Sequence, residues 1–233
     1  MGAVRSRLRR WHVWLGWLVG LPLLFWVVSG LVMVIKPIEE VRGEQLLAEP
    51  GPVRMALPPV PPAVGGVPLK SLKLEQRGAG PRWVIAMARG PTRLADPASG
   101  ALLPPLSAAD AVREVTARYT GTAKIQSATR IDPAKPPLEL RRPVAAWQVA
   151  MDDGTNFYVD ASSGEVIARR TSWWRFYDWM WGLHIMDLKT REDAHNPLTV
   201  GFAIASLAMV LLALVLLPLT TRWPRRRKPK RPS

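Results

Sequence analysis

No cysteine occurs among the 233 residues, which excludes disulfides, thiol nucleophiles, thiolate zinc sites and cysteine-ligated iron–sulfur clusters. Histidine is nearly as scarce: His12, His184 and His195 are the whole set. None lies between residues 13 and 183, so neither a Ser-His-Asp nor a Cys-His nucleophile system can be assembled from that stretch. Carboxylates are missing from both ends, since all 18 fall between Glu39 and Asp193. Charge of either sign is missing from two runs, Trp11 to Ile35 and Pro197 to Leu219.

Those two runs are long enough, as helices rising ~1.5 Å per residue, to cross a hydrocarbon layer of ~30 Å with some tilt. At both outer ends the chain is purely basic. Arg5, Arg7, Arg9 and Arg10 precede the first run, and Arg222, Arg225, Arg226, Arg227, Lys228, Lys230 and Arg231 follow the second, supplying most of the formal charge of +14. Short flanks rich in Lys and Arg stay on the cytoplasmic side. The expected topology therefore has both termini inside a bacterial inner membrane and residues 36 to 196 in the periplasm. A cleaved signal peptide would need a shorter apolar core and a small-residue cleavage site, whereas Lys36, Pro37 and Ile38 come next here. Pro22 removes one backbone hydrogen bond from the first span and predicts a bend there. Asn196 and Pro197 form a helix start, and Trp223 suits the headgroup layer at the far end.

The middle segment repeats itself at an offset of 64. Trp83-Val-Ile-Ala-Met87 lies over Trp147-Gln-Val-Ala-Met151, and Gly90, Asp96, Ser99 and Gly100 lie over Gly154, Asp160, Ser163 and Gly164. Each copy reads as a strand, a turn, a returning strand and a D-x-x-S-G turn, so two β-rich half repeats are expected. Asp96 and Asp160 are read as turn formers that bond the backbone ahead of them. Between the copies Ser107 begins an amphipathic helix with Asp110 at its third position. Ala108, Ala111, Val112, Val115 and Tyr119 share one face, Glu114 and Arg118 pair on the wet side, and Gly121 ends the helix. The proline-rich stretch 50–68 and the loop around Pro133, Pro136, Pro137 and Pro143 resist regular structure.

The fold class that follows is an α+β membrane protein with two transmembrane helices flanking a periplasmic antiparallel sheet-plus-helix domain. Its parts are a basic tail (1–10), a span (11–35), a connector with a tether (36–68), the domain (69–172), an interfacial aromatic helix (173–186), a turn (187–196), a span (197–219) and a second basic tail (220–233). In the aromatic helix Trp173, Phe176, Tyr177, Met180, Trp181 and His184 fall on one face, with Arg175 and Asp178 toward the other. Trp173, Trp174, Trp179 and Trp181 are its expected bilayer anchors.

The helix followed by Trp147 to Met151, Phe157-Tyr-Val-Asp160 and Ser163-Gly-Glu-Val166 resembles a PepSY domain. Trp11-His12-x3-Gly16 with Ser29-Gly30 resembles the PepSY-associated transmembrane family. The resemblance implies a small antiparallel sheet packed on helices at the periplasmic side of a bacterial inner membrane. Functions suggested for such domains include restraining proteases, and some larger relatives resemble haem-containing reductases of ferric siderophores.

Two functional readings follow. The first is a noncatalytic binding or regulatory module that acts with a membrane or periplasmic protein partner. The second is a small electron-transfer component or ferric-siderophore reductase component carrying haem b on His12 or His184, two ligands too far apart to share one haem. His12 also reads as a solvated interfacial histidine, and His184 as part of the aromatic anchor. Gly16 and Gly20 share the face of His12 and allow close approach of another helix, either a second copy or a different protein. The C-terminal cluster is expected to contact anionic headgroups and not nucleic acid.

Overall fold

The computed structural model describes residues 2–220; the C-terminal basic cluster and Trp223 lie outside them. Five helices and seven strands follow in the order α1 (Gly2–Met33), α2 (Ile38–Val41), a 3-10 turn (Glu44–Leu46), β1 (Leu69–Arg77), β2 (Gly80–Met87), β3 (Arg93–Ala95), α3 (Ala108–Thr116), β4 (Ile125–Ile131), β5 (Ala146–Met151), β6 (Asn156–Asp160), β7 (Val166–Arg170), α4 (Ser172–His184) and α5 (Pro197–Thr220). The chain divides into two bodies, one of residues 36–177 and one made of 1–35 with the chain from 178 onward.

The first body holds two antiparallel sheets of order β1-β2-β3 and β4-β5-β6-β7. Residues 64 apart occupy matching places in them. Trp83 faces Ala95 as Trp147 faces Val159, and Ile85 faces Arg93 as Val149 faces Phe157. The register slips opposite Met87 and Ala86 in one sheet and opposite Met151 and Ala150 in the other. Asp96 and Asp160 each accept the hydroxyl of the serine three residues on, and Gly100 and Gly164 each donate N–H to the aspartate carbonyl. Both glycines sit near φ +70, where a Cβ would be strained. Each tryptophan indole donates to a backbone carbonyl, Trp83 to Val60 at 2.8 Å and Trp147 to Leu106 at 2.7 Å. The irregular stretch before β1 is thereby stitched to its sheet.

Alternation along β6 buries both faces of the larger sheet. Phe157 and Val159 join Val149, Ala111, Val115 and Leu106 in the main core, while Tyr158 joins Leu140, Ala146 and Ala168 on the other side. Each of these large side chains contributes roughly 1.5–3 kcal/mol by leaving water. Helix α3 begins as its sequence dictates, with Ser107 and Asp110 forming a reciprocal capping box. It ends at Thr116, short of Gly121, because residues 118–120 pair with 46–48: Ala48 N–H donates to Arg118 O, and Thr120 N–H to Leu46 O. Glu114 is not on the wet face. It is 5% exposed and accepts Gly78 N–H, while Arg118 donates to Ala48 O.

In the second body α1 and α5 pack against each other, and both are long and apolar enough to cross a membrane. Helix α1 starts at Gly2 and so continues through the arginines assigned to a tail; arginine is a good helix former whose long stem lets its charge reach water. It runs through Pro22 as one element. Helix α5 begins at Pro197, with Asn196 Oδ1 accepting Thr199 N–H at 3.0 Å. The connecting turn is organised by Asp187, whose carboxylate accepts N–H groups from Lys189, Thr190, Glu192 and Asp193.

Candidate functional site

The densest polar cluster of the first body centres on Glu139, in the proline-rich loop before β5. Its Oε1 accepts Tyr158 OH at 2.5 Å and Asn156 Nδ2–H at 2.8 Å, and its Oε2 accepts Arg175 Nε–H at 2.8 Å. Arg170 Nε–H donates to the Glu139 carbonyl at 2.6 Å. The Arg170 guanidinium lies 4.0 Å from the Trp174 ring centroid, and that of Arg141 lies 5.7 Å away. Burial favours the protonated acid, but the bonds from Arg175, Tyr158 and Asn156 outweigh it and hold Glu139 below the usual carboxylate range. Burial and the Glu139 bond push the Tyr158 phenol well up. With donors on both oxygens, Glu139 is suited to positioning rather than to taking a proton.

Helix α4 starts on this cluster, and its predicted faces need revising. Trp174, named as a bilayer anchor, is only 8% exposed and lies beneath arginines. Asp178, placed on the wet side, is 4% exposed and pairs with Arg191 at 2.8 Å. Trp173 packs with Phe176 and lies under Lys36. Trp179 is 45% exposed, and Trp181 donates its indole N–H to Arg191 O at 3.1 Å. The sequence pattern grouped aromatic residues by hydrophobicity; the arrangement follows the arginine and carboxylate partners instead.

In the second body His184 stacks on Trp26 with centroids 4.6 Å apart. Its Nδ1 is 3.1 Å from both Trp26 O and Ser29 Oγ. Trp26 O can only accept, and Ser29 already donates its hydroxyl proton there. The network thus assigns a proton to Nδ1. Gly30 makes room: a Cβ there would lie 3.2 Å from His184 Cε1. His12 is half-buried, and its Nδ1 has no hydrogen-bond partner among the described residues. From His12 to Ser29 is about 25 Å along a helix rising ~1.5 Å per residue, so His12 and His184 cannot ligate one haem. The remaining histidine, His195, belongs to the turn, donating its N–H to Asp193 Oδ1. Gly16 and Gly20 face open space, and an apolar cleft of about 640 Å³ separately opens among Leu18, Pro22, Phe25, Met186, Phe202 and Ala205.

Sequence reasoning missed Glu139 and the buried placement of Glu114. Nothing local marks the first, whose side-chain partners lie 17 to 36 residues away. The second did leave a signal, because at 100° per residue Glu114 sits within 60° of Ala111, on the margin of the apolar face. A family model described as the PepSY-associated TM region matches residues 9–233. Among curated proteins and among solved structures nothing matches the chain.

Proposed function

Since this chain belongs to the PepSY-associated TM family, with nearly its whole length inside the match, and is a membrane protein of PepSY type, we propose that it is an anchored binding or regulatory module. In this reading both termini are cytoplasmic at a bacterial inner membrane, residues 36–196 stand on the periplasmic side, and the two sheets descend from one repeated unit. The matched registers and D-x-x-S-G turns support the last point. The module is noncatalytic and acts by holding a protein or peptide partner.

The observation that carries the reading is the open edges of the sheets. Strands β1 and β4 are each outermost, and their outward backbone groups have no backbone partner among the described residues. Such edges can accept an added strand. Lys70 and Lys73 on β1 are exposed, which disfavours pairing with a second basic edge and favours an acidic or neutral segment. The absence of cysteine makes topology directly testable. Thr122→Cys should react with a membrane-impermeant maleimide in intact cells and Ser6→Cys only after permeabilisation; the opposite pattern overturns the topology. A photo-crosslinker at Lys73 should give one discrete adduct in cells, whereas adducts no stronger than those from exposed Arg89 would remove the edge-binding reading. A featureless reduced-minus-oxidised spectrum of protein from haem-replete cells would dispose of electron transfer.

A further inference from the structure

Within the first body a cavity of about 240 Å³ lies beside α3, lined among others by Leu94, Leu103, Leu106, Arg82, Asp110 and Glu114. It is smaller than the ~300–1,000 Å³ of pockets for drug-sized ligands. At about 30 Å³ per water it has room for roughly eight waters, the size of one amino-acid residue.

Its charged groups are not equally committed. Asp110 is spent locally: it caps Ser107 and pairs with Arg113. Glu114 is 5% exposed and uses Oε2 to accept Gly78 N–H at 2.8 Å, while Oε1 has no hydrogen-bond partner among the described residues. The turn that holds Gly78 packs directly on α3, where an added Cβ would sit 2.5 Å from Arg113 O. Arg82 donates once to Pro81 O and once to Ala79 O, which leaves some of its five N–H donors unused. A carboxylate with one idle oxygen, a guanidinium with idle donors and three leucines therefore share one small space. Glu114 has one N–H bond and the nearby charges of Arg77, Arg118 and Arg82 to offset its burial, and a second direct partner on Oε1 would offset it further; a ligand bearing both signs beside an apolar group answers every feature at once.

We propose that this cavity binds an α-ammonium group adjoining an apolar side chain, with the ammonium on Glu114 Oε1, the neighbouring carboxylate or carbonyl oxygen at Arg82, and the side chain among Leu94, Leu103 and Leu106. The group could be offered by a free amino acid or by the first residue of a peptide. This site does not use the outward backbone groups of β1 and β4 and is read independently of them.

The test uses the full chain in lipid nanodiscs and calorimetric titration with leucine, leucinamide, Leu-Gly-Gly and N-acetyl-leucine. The expected result is binding of the three free amines and at least tenfold weaker binding of N-acetyl-leucine. Leucine tighter than Leu-Gly-Gly identifies a free amino acid, and the reverse order identifies a peptide N-terminus. Glu114→Gln keeps an acceptor for Gly78 and should cost tenfold or more in affinity. Arg82→Gln, on the cavity rim, should weaken leucine more than leucinamide and keeps the test decisive if the first variant misfolds. Equal binding of N-acetyl-leucine, unchanged affinity in both variants, or no heat from any amine at millimolar concentration would overturn the proposal. A crosslink at Lys73 should persist in Glu114→Gln, so failure at one site is distinguishable from failure at the other.

Discussion

Replacing Glu139 by alanine removes the acceptor on which three side chains converge. Tyr158 is fully buried and Asn156 half-buried, so their donors at 2.5 and 2.8 Å lose their charged acceptor in a poorly hydrated place. Arg175 has a third of its side chain exposed and can turn to water. Two bonds to a charged group at ~1.5–3 kcal/mol each, less some relief from water entering the vacated space, give a loss of about 3–5 kcal/mol. For a body of this size that corresponds to a fall in Tm of roughly 10–15 °C. Tyr158→Phe alone should cost about 1–2 kcal/mol, and the double variant should fall short of the sum by about the same 1–2 kcal/mol, since both remove one bond. Thermal unfolding of the full chain in micelles, followed by tryptophan emission, reads these shifts, with Trp174 beneath Arg170 as a local reporter. The effect has a pH sign. Glu139 has a lowered folded pKa, so its contribution is present above the ordinary carboxylate pKa of about 4.3 and is lost as pH falls through the folded value. A loss below ~1 kcal/mol at neutral pH, or additivity within ~0.5 kcal/mol, would refute the network.

Glu114 carries the opposite sign. Burial raises its folded pKa, so the folded state holds its proton to higher pH and stability is lost as pH climbs through that value; Glu114→Gln should be at least as stable as the parent at pH 8, and this advantage should vanish below about pH 4. Gly78→Ala drives a Cβ into the Arg113 carbonyl and should cost about 2–3 kcal/mol, whereas Gly51→Ala, with open space around it, should stay within ~0.5 kcal/mol; denaturant melts compare the two. Gly30→Val should expel the His184 ring, and His184→Ala should remove it. Combined, their effects on thermal stability in nanodiscs should be clearly less than additive, and full additivity would deny the contact.

What was legible in the sequence was local. The two apolar runs, the D-G and D-x-x-S-G turns, the Ser107 cap and the Asn196 start each rest on residues within a few positions of one another, where periodicity and turn chemistry act. What was not legible depended on partners far along the chain. Thr116 ends α3 because a segment 70 residues earlier pairs with the residues that follow. Asp178 looked wet because no nearby residue announced Arg191, which takes a positive φ of 58° to present its guanidinium. Glu139 stands among prolines that suppress any periodic signal, so its role emerges only when β6 and α4 arrive beside it.

The unequal depth of the two sheets has a kinetic consequence. Every central residue of β6 is buried on one face or the other, whereas β2 has one buried position, Ile85, and β3 is three residues long. Amide protons of β1 to β3 should therefore exchange with solvent through brief local openings that leave β5 and β6 closed. The molecule would breathe from its thinner sheet, and a protease or a binding segment would find its first foothold there.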